Sequence, residues 1–338
     1  MVSINDVAER ANVSISTVSR VMNQNANVSK EKEEAVLAAV EELDYIPNGL
    51  ARGLVTKNTN SVGILIADIA NLYYAALVKS IEKTLNDKGY YTIIGNTEWK
   101  ADRERDYLRY LIQKQVDGFI LASTSLDDQY IDKMSKKNIP MIVLDREVKS
   151  DLIDKIRIND YQGAYSATEH LVECEYDYFV HVNGPTQAAT AQDRNRAFLQ
   201  CLDDYNISDD NYTVLSGCFM EECGTRVISD FFDNFDLKGR RVGIFAANDA
   251  TAFGILKELK RRKIVIPDQV GVVGFDDVHF ASYTNPPLTT VSRPIEEIGE
   301  ITANTLIERI EKEDEEKYYK KNITMDVQLI KRGTTAKI

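Results

Sequence analysis

The chain has 338 residues, 43% hydrophobic and 28% charged, a globular balance in a length that exceeds one ordinary core and points to two or three compact units. Its 41 Lys and Arg stand against 53 Asp and Glu, a net charge of -12 that argues against a nucleic-acid partner unless a small local surface does that work. No apolar run approaches the ~20 residues of a membrane helix, and MVSINDVAERANVS lacks the basic and apolar regions of a signal peptide, so a cytoplasmic protein with no membrane partner is expected.

Residues 1–45 read as helices alone. Ile4, Val7, Ala8 and Ala11 recur on one helical face, and Ser3 with Asp6 three positions on makes a capping-box start. Asn12 then breaks the helix, being a residue that tolerates a left-handed turn. Ser14 is placed to cap a short second helix with Val18, Val21 and Met22 inward. Ser29 is placed to cap a third, with Val36, Val40 and Leu43 inward. Helix, tight turn and short second helix are the layout of a DNA-reading helix-turn-helix. The second helix turns outward Ile15, Ser16, Ser19, Arg20 and, just beyond it, Asn23. Arg20 can fork onto a guanine edge, Ser16 can pair with several bases, and Ile15 can cover a thymine methyl. Ser19 and Asn23 are better placed for phosphates. A structural three-helix bundle with an ordinary polar face fits the same pattern.

The next segment, YIPNGLARGL, can start a helix at Pro47 and Asn48, with Leu50, Ala51 and Leu54 on one apolar face. Gly49 and Gly53 each cost about 1 kcal/mol in a helix interior, and isolated helices under ~12 residues are marginal. The segment is therefore expected to be disordered alone and helical only when held. A plain flexible linker is the other reading.

From Ser61 the rhythm changes. VGILIA precedes a predicted helix 73–88, YTIIGN a helix 101–114, VDGFIL a helix 127–138 and PMIVL a helix 160–174. The beat continues through YFVHVN, TVLSG, VGIFAAN and VGVVGF. Such alternation builds parallel sheets covered on both faces, and its length predicts two doubly wound halves of an α/β fold. The run EKEDEEKYYKKN, 311–322, reads as a solvated helix end and loop. Cys174, Cys201, Cys218 and Cys223 form no CxxC pair, and Cys218 and Cys223 lack the companions of a zinc site, so buried or incidental thiols and no metal are expected.

INDVAERANVSISTVSRVMN, the third helix opened by VS, and YIPNGLARGL closely resemble the lactose/galactose-repressor (LacI/GalR) family of bacterial regulators. The resemblance continues in order through VGILIADIANLYY, VDGFIL, IPMIVLDR, AANDATAFG, IPDQVGVVGFDD, PPLTTV and QLIKRGTT, over essentially the whole chain. It implies a helix-turn-helix head at 1–46, a hinge helix and linker at 47–60, and an effector-binding and dimerisation domain at 61–338. The last would divide into two sub-domains like those of periplasmic sugar-binding proteins, roughly 61–159 with 291–320 and 160–290 with 321–335. A homodimer on a pseudo-palindromic operator is implied, with second helices in major grooves and hinge helices paired in the minor groove. Leu54 would wedge between base steps there, with Arg52 and Lys57 on phosphates. Gly49 and Gly53 depart from the better helix formers usual in the family. Residues 1–60 hold six basic side chains against eight acidic ones, five of the acids on the third helix, which can face away from DNA. That thin basic footprint predicts modest non-specific affinity.

For the large domain the resemblance implies a sugar or sugar derivative in a cleft between the sub-domains, in keeping with the rule that ligands sit beyond the carboxyl ends of parallel strands. Candidates just after strands are Asp68, Asn71 and Tyr73 after VGILIA, Asp145 after PMIVL, Asn248 after VGIFAA and Asp276 after VGVVGF. The family pattern adds Arg194 of QDRNRAF and the aromatic Phe219 after a glycine, while Ala197 departs from a common glycine. Carboxylates and amides pair with hydroxyls, an aromatic covers a sugar's apolar face, and arginine forks onto vicinal oxygens. Asp68 and Asn71 can equally be read as helix caps.

Asp145 and Arg146 can be read as an acid/base pair, but no nucleophile, histidine or glycine-rich phosphate loop converges with them. His170, His181 and His279 stand apart in sequence. No catalysis and no cofactor are expected. The reading is a sequence-specific regulator, a repressor of carbohydrate uptake or catabolism genes under the control of a small sugar. A transport-type sugar-binding protein is the alternative, and it would need a signal peptide and have no use for residues 1–54. Nothing beyond residue 335 resembles a tetramerising heptad tail, so a dimer is expected.

Overall fold

A computed structural model describes residues 2–22, 28–45, 58–122, 125–137, 139–146, 148–150, 152–312 and 320–337. They belong to two compact units, residues 1–59 and 60–338. The expected contacts of Asn23, Arg52, Leu54 and Lys57, and the hinge helix over 47–54, lie outside the described residues.

In the first unit, α1 (Ile4–Arg10), α2 (Ile15–Met22) and α3 (Lys30–Glu42) enclose a small core of Val7, Ala8, Val18, Val21, Val36 and Ala39. The capping box at Ser3 and Asp6 forms in both directions, and Asn12 takes the left-handed conformation with φ 54°. Ser14 Oγ accepts the Thr17 amide at 3.3 Å, capping α2. Ser29 differs from expectation. It occupies the N-cap of α3 with no side-chain capping bond, and only its backbone carbonyl accepts the Lys32 and Glu33 amides. Glu31 and Glu33 in the first turn complement the positive helix end instead.

The second unit contains two six-stranded sheets. The first lobe runs through β1 (Ser61–Ile66), α4 (Leu72–Asp87), β2 (Tyr91–Asn96), α5 (Ala101–Gln113), β3 (Gly118–Leu121), α6 (Asp128–Ser135), β4 (Met141–Leu144) and β5 (Asp154–Ile158). The second runs through α7 (Asp160–Glu173), β6 (Tyr178–Val182), α8 (Ala189–Asp204), β7 (Tyr212–Leu215), α9 (Glu221–Asn234), β8 (Val242–Ala246), α10 (Asp249–Arg261), β9 (Val270–Asp276) and β10 (Thr289–Ser292). The chain then returns through α11 (Ile295–Ile310) and β11 (Asn322–Met325) before β12 (Gln328–Ile330). Strand order is β11-β5-β4-β3-β1-β2 in the first sheet and β12-β10-β9-β8-β6-β7 in the second. Every pairing is parallel except that of β12 with β10. The central strands β3, β4, β8 and β9 are buried throughout because helices cover both faces, which is why they read as unbroken apolar runs.

Two sub-domain boundaries need correction. β11 pairs with β5 and so belongs to the first lobe, and all of β10 pairs with β9 in the second. The backbone therefore crosses between lobes near Asn159, near Arg293 and at 326–327. A strand's partner is chosen by an exposed sheet edge, which apolar periodicity does not encode. β5 was hidden for a related reason. Its sequence DKIRI carries charges, and buried Asp154 is paired with Arg309 at 3.0 Å. Close packing also shapes the second lobe: a Cβ on Gly254 would lie 2.0 Å from the Glu221 carbonyl oxygen, so α9 and α10 touch backbone to backbone.

Candidate functional site

In the head unit, Ile15, Ser16 and Arg20 are exposed on α2, and Ser19 is half-buried. Ile15 is 49% exposed, too much for a core residue of so small a bundle, which leaves a contact role open to it. The Ser16 hydroxyl lies 2.8 Å from that of Ser14, and its remaining hydrogen-bonding capacity is open to a further partner.

In the second unit, strand ends and helix starts of both lobes surround a cavity of about 510 Å³. Asn71, Tyr73, Tyr74, Trp99, Asp145 and Arg146 come from the first lobe, and Arg194, Phe219, Asn248 and Asp276 from the second. Arg293 reaches the same space from the second crossing. Sharp turns aim several of them: Asp145 has φ 55°, Asp276 φ 116° and Trp99 φ 58°, all positive for residues that seldom accept it. Gly184 leaves room for Phe219, whose ring would stand 2.5 Å from a Cβ there.

Charges in the cavity wall come paired. Arg293 Nη2 donates to both Asp145 oxygens at 2.6 Å, and its Nη1 lies 3.5 Å from Asp276 Oδ1. Tyr73 donates its hydroxyl to Asp145 at 2.9 Å, and burial pushes that phenol well above its usual range, so the proton stays in place. Arg194 grips Asp160 through Nε at 2.8 Å and Nη2 at 2.7 Å, donates to the Ala247 carbonyl, and lies over the Phe275 ring. Burial raises the Asp276 carboxyl to about 6, against the pull of Arg293 and Arg194, and raises Asp160 as well. Burial also works against the Arg293 charge, but Asp145, Tyr73, Asp276 and Asp160 outweigh it and hold the guanidinium protonated.

Contacts among the described residues join the lobes. Arg293 holds Asp145, Asn71 Nδ2 donates to the Phe219 carbonyl at 3.4 Å, and the Trp99 ring rests against Phe219 with centroids 5.5 Å apart. Asn248 Nδ2 donates to the same carbonyl at 3.3 Å while its Oδ1 caps α10.

A profile described as bacterial regulatory proteins, lacI family, matches residues 3–48, and one for a periplasmic binding protein-like domain matches residues 168–335. A ribose operon repressor from Halalkalibacterium halodurans is 36% identical over 337 residues, 99% of this chain and 97% of that protein. The chain belongs to the lacI family. The lac repressor dimer bound to operator and the anti-inducer ONPF superposes with a TM-score of 0.85 at 26% identity, over 99% of both chains. A LacI family regulator from Enterococcus faecium with bound ribose gives a TM-score of 0.74 at 29% identity, over 82% of this chain and 99% of that one. Among the described residues no helix is long and apolar enough to cross a membrane.

Of the eight effector candidates, seven line the cavity: Asn71, Tyr73, Asp145, Arg194, Phe219, Asn248 and Asp276. Asp68 does not. Its Oδ1 accepts the Ala70 amide at 3.0 Å and so secures the turn after β1; it is not the helix cap either, since Asn71 holds that position. Asn71 does both jobs, capping α4 through Tyr73 while lining the cavity. The sequence reading missed Arg293 and Trp99. Arg293 follows β10 directly, so the strand-end rule reaches it once TTVS is known to be a strand, which its two threonines and serine conceal. Trp99, the chain's single tryptophan, ends the turn after β2.

Proposed function

We propose that this chain is a homodimeric, sequence-specific transcriptional regulator of the cytoplasm, a repressor of carbohydrate uptake or catabolism genes. A small sugar or sugar derivative in the cleft sets its affinity for a pseudo-palindromic operator. Ile15, Ser16 and Arg20 read bases, Ser19 and Asn23 hold phosphates, and Leu54 with Arg52 and Lys57 engages the minor groove. Asn71, Tyr73 and Asp145 hold the effector from one lobe, and Arg194, Phe219, Asn248 and Asp276 from the other.

The observation that carries this reading is the cleft itself. Carboxylates, amides and guanidiniums from two lobes converge on one enclosed space beside an aromatic pair, the chemistry of polyol recognition. Because both lobes line it, a ligand there has different affinity for different lobe arrangements, the only means by which it can shift a DNA-binding equilibrium. The ribose operon repressor and the ribose-bound regulator support the sugar, and the operator-bound lac repressor dimer supports the DNA and the dimer. An exposed apolar patch of Leu72, Phe280 and Tyr283 offers surface for a partner subunit.

Operator titration tests the reading. Fragments selected by the full-length protein should contain an inverted repeat, and one sugar should change affinity for it by about 5–150-fold at fixed salt. No preference for any sequence would overturn the DNA role, and selective binding that no sugar alters would overturn the effector role.

A further inference from the structure

The reading above leaves the charge of the effector open, and the cavity wall bears on it. Three guanidiniums line the space, those of Arg146, Arg194 and Arg293, and each is already held by a carboxylate. Arg194 is paired with Asp160, Arg293 with Asp145 and Asp276, and Arg146 with Asp128 at 2.8 Å. Asp127 adds a carboxylate at the exposed rim, itself paired with Arg105 at 3.6 Å. The described lining includes no lysine. The described lining thus carries three guanidiniums and three carboxylates, those of Asp127, Asp145 and Asp276, and an incoming anion meets no unbalanced cation.

We propose that the effector is an uncharged sugar, and that phosphorylated and carboxylated sugars are excluded by the charge balance of the wall. This rests on the sugar-controlled regulator reading. A phosphate carries about two negative charges and needs guanidinium or ammonium groups that are not already neutralised. Here it would lie among carboxylates in a space of low effective dielectric, where unscreened like charges repel strongly. A hydroxyl suits the same wall. It donates to Asp145 or Asp276 and accepts from the remaining N–H groups of Arg194 or Arg293, leaving the ion pairs intact.

The test uses the full-length protein, following Trp99 fluorescence and calorimetry. The probes are D-ribose, D-glucose and D-galactose, each beside its terminal phosphate ester, together with D-gluconate. At least one free sugar should bind, and its ester should bind about 100-fold more weakly or worse. Asp128→Asn, which removes one negative charge held against Arg146, should narrow the gap between that sugar and its ester. An ester or gluconate that binds as tightly as a free sugar would overturn the proposal while leaving the sugar-controlled regulator in place. If no probe binds while operator binding is intact, both the proposal and the sugar reading fall.

Discussion

The head carries Ile15, Ser16 and Arg20 outside its core of Val7, Val18 and Val36, so those side chains can change without disturbing the packing. The cleft is built the other way: Arg194, Arg293 and Asp276 are 3%, 6% and 3% exposed, and each is held by other charges in the wall. Reading DNA requires side chains that stand in water until the groove arrives. Sensing a ligand requires groups fixed in advance, and fixing them in a dry wall makes them part of the fold. A substitution in the head therefore isolates function, whereas one in the cleft tests folding and function together.

The largest expected effect follows from that difference. Arg293→Ala leaves Asp145 and Asp276 in the wall without their shared cation, and breaking such a buried arrangement costs about 3–5 kcal/mol. Urea unfolding should show the loss in full. A change under about 1 kcal/mol would place the pair with exposed ion pairs and erase the contrast with the head.

Next in size is the loss of the ligand response. Arg194→Ala or Asp276→Ala should abolish most of a coupling of about 1–3 kcal/mol while leaving ligand-free operator affinity near wild type. Because Arg194 also neutralises buried Asp160, its variant should lose stability too. If both variants keep the full response, the effector binds elsewhere. If ligand-free DNA binding disappears, these residues are structural.

Arg20→Ala sharpens the other side of the comparison. It should weaken cognate operator binding by about 1–3 kcal/mol, affect random DNA much less, and leave the unfolding midpoint unchanged. Equal losses on both DNAs would show a phosphate contact, and a shifted midpoint would show that the head is not divided into core and reading face.

The cleft should also leave a pH signature. The Asp276 carboxyl, raised to about 6, is protonated in folded and unfolded chains below about pH 4, so it costs nothing there. Between about pH 4 and 6 the unfolded chain loses the proton first, and stability falls as pH rises. Asp276→Asn should therefore gain stability relative to wild type across that window and hold the gain at pH 7. Thermal unfolding at several pH values checks it. A difference that does not change with pH would mean that the carboxyl titrates near its ordinary value.

Features that depend on near neighbours are legible in the sequence. The Ser3–Asp6 box, the left-handed turn at Asn12 and the apolar face of Val18 and Val21 are all decided within a few residues. The runs GFIL, MIVL, VGIFA and VGVVGFD announce doubly covered strands because burial on both faces leaves no polar position between them. The strand-end rule then located Asp145, Asn248 and Asp276, and the resemblance to the family added Arg194 and Phe219. Features that depend on distant partners emerge only in the folded chain. Asp154 hides a strand because its counter-charge, Arg309, comes 155 residues later, and Arg293 enters the site by gripping Asp145, 148 residues before it. Asp68 and Asp145 both follow strands, yet one satisfies its own turn and the other faces the cavity. The side chain and its place after a strand are the same in both, and what differs is the set of groups that the folded chain brings within hydrogen-bonding reach.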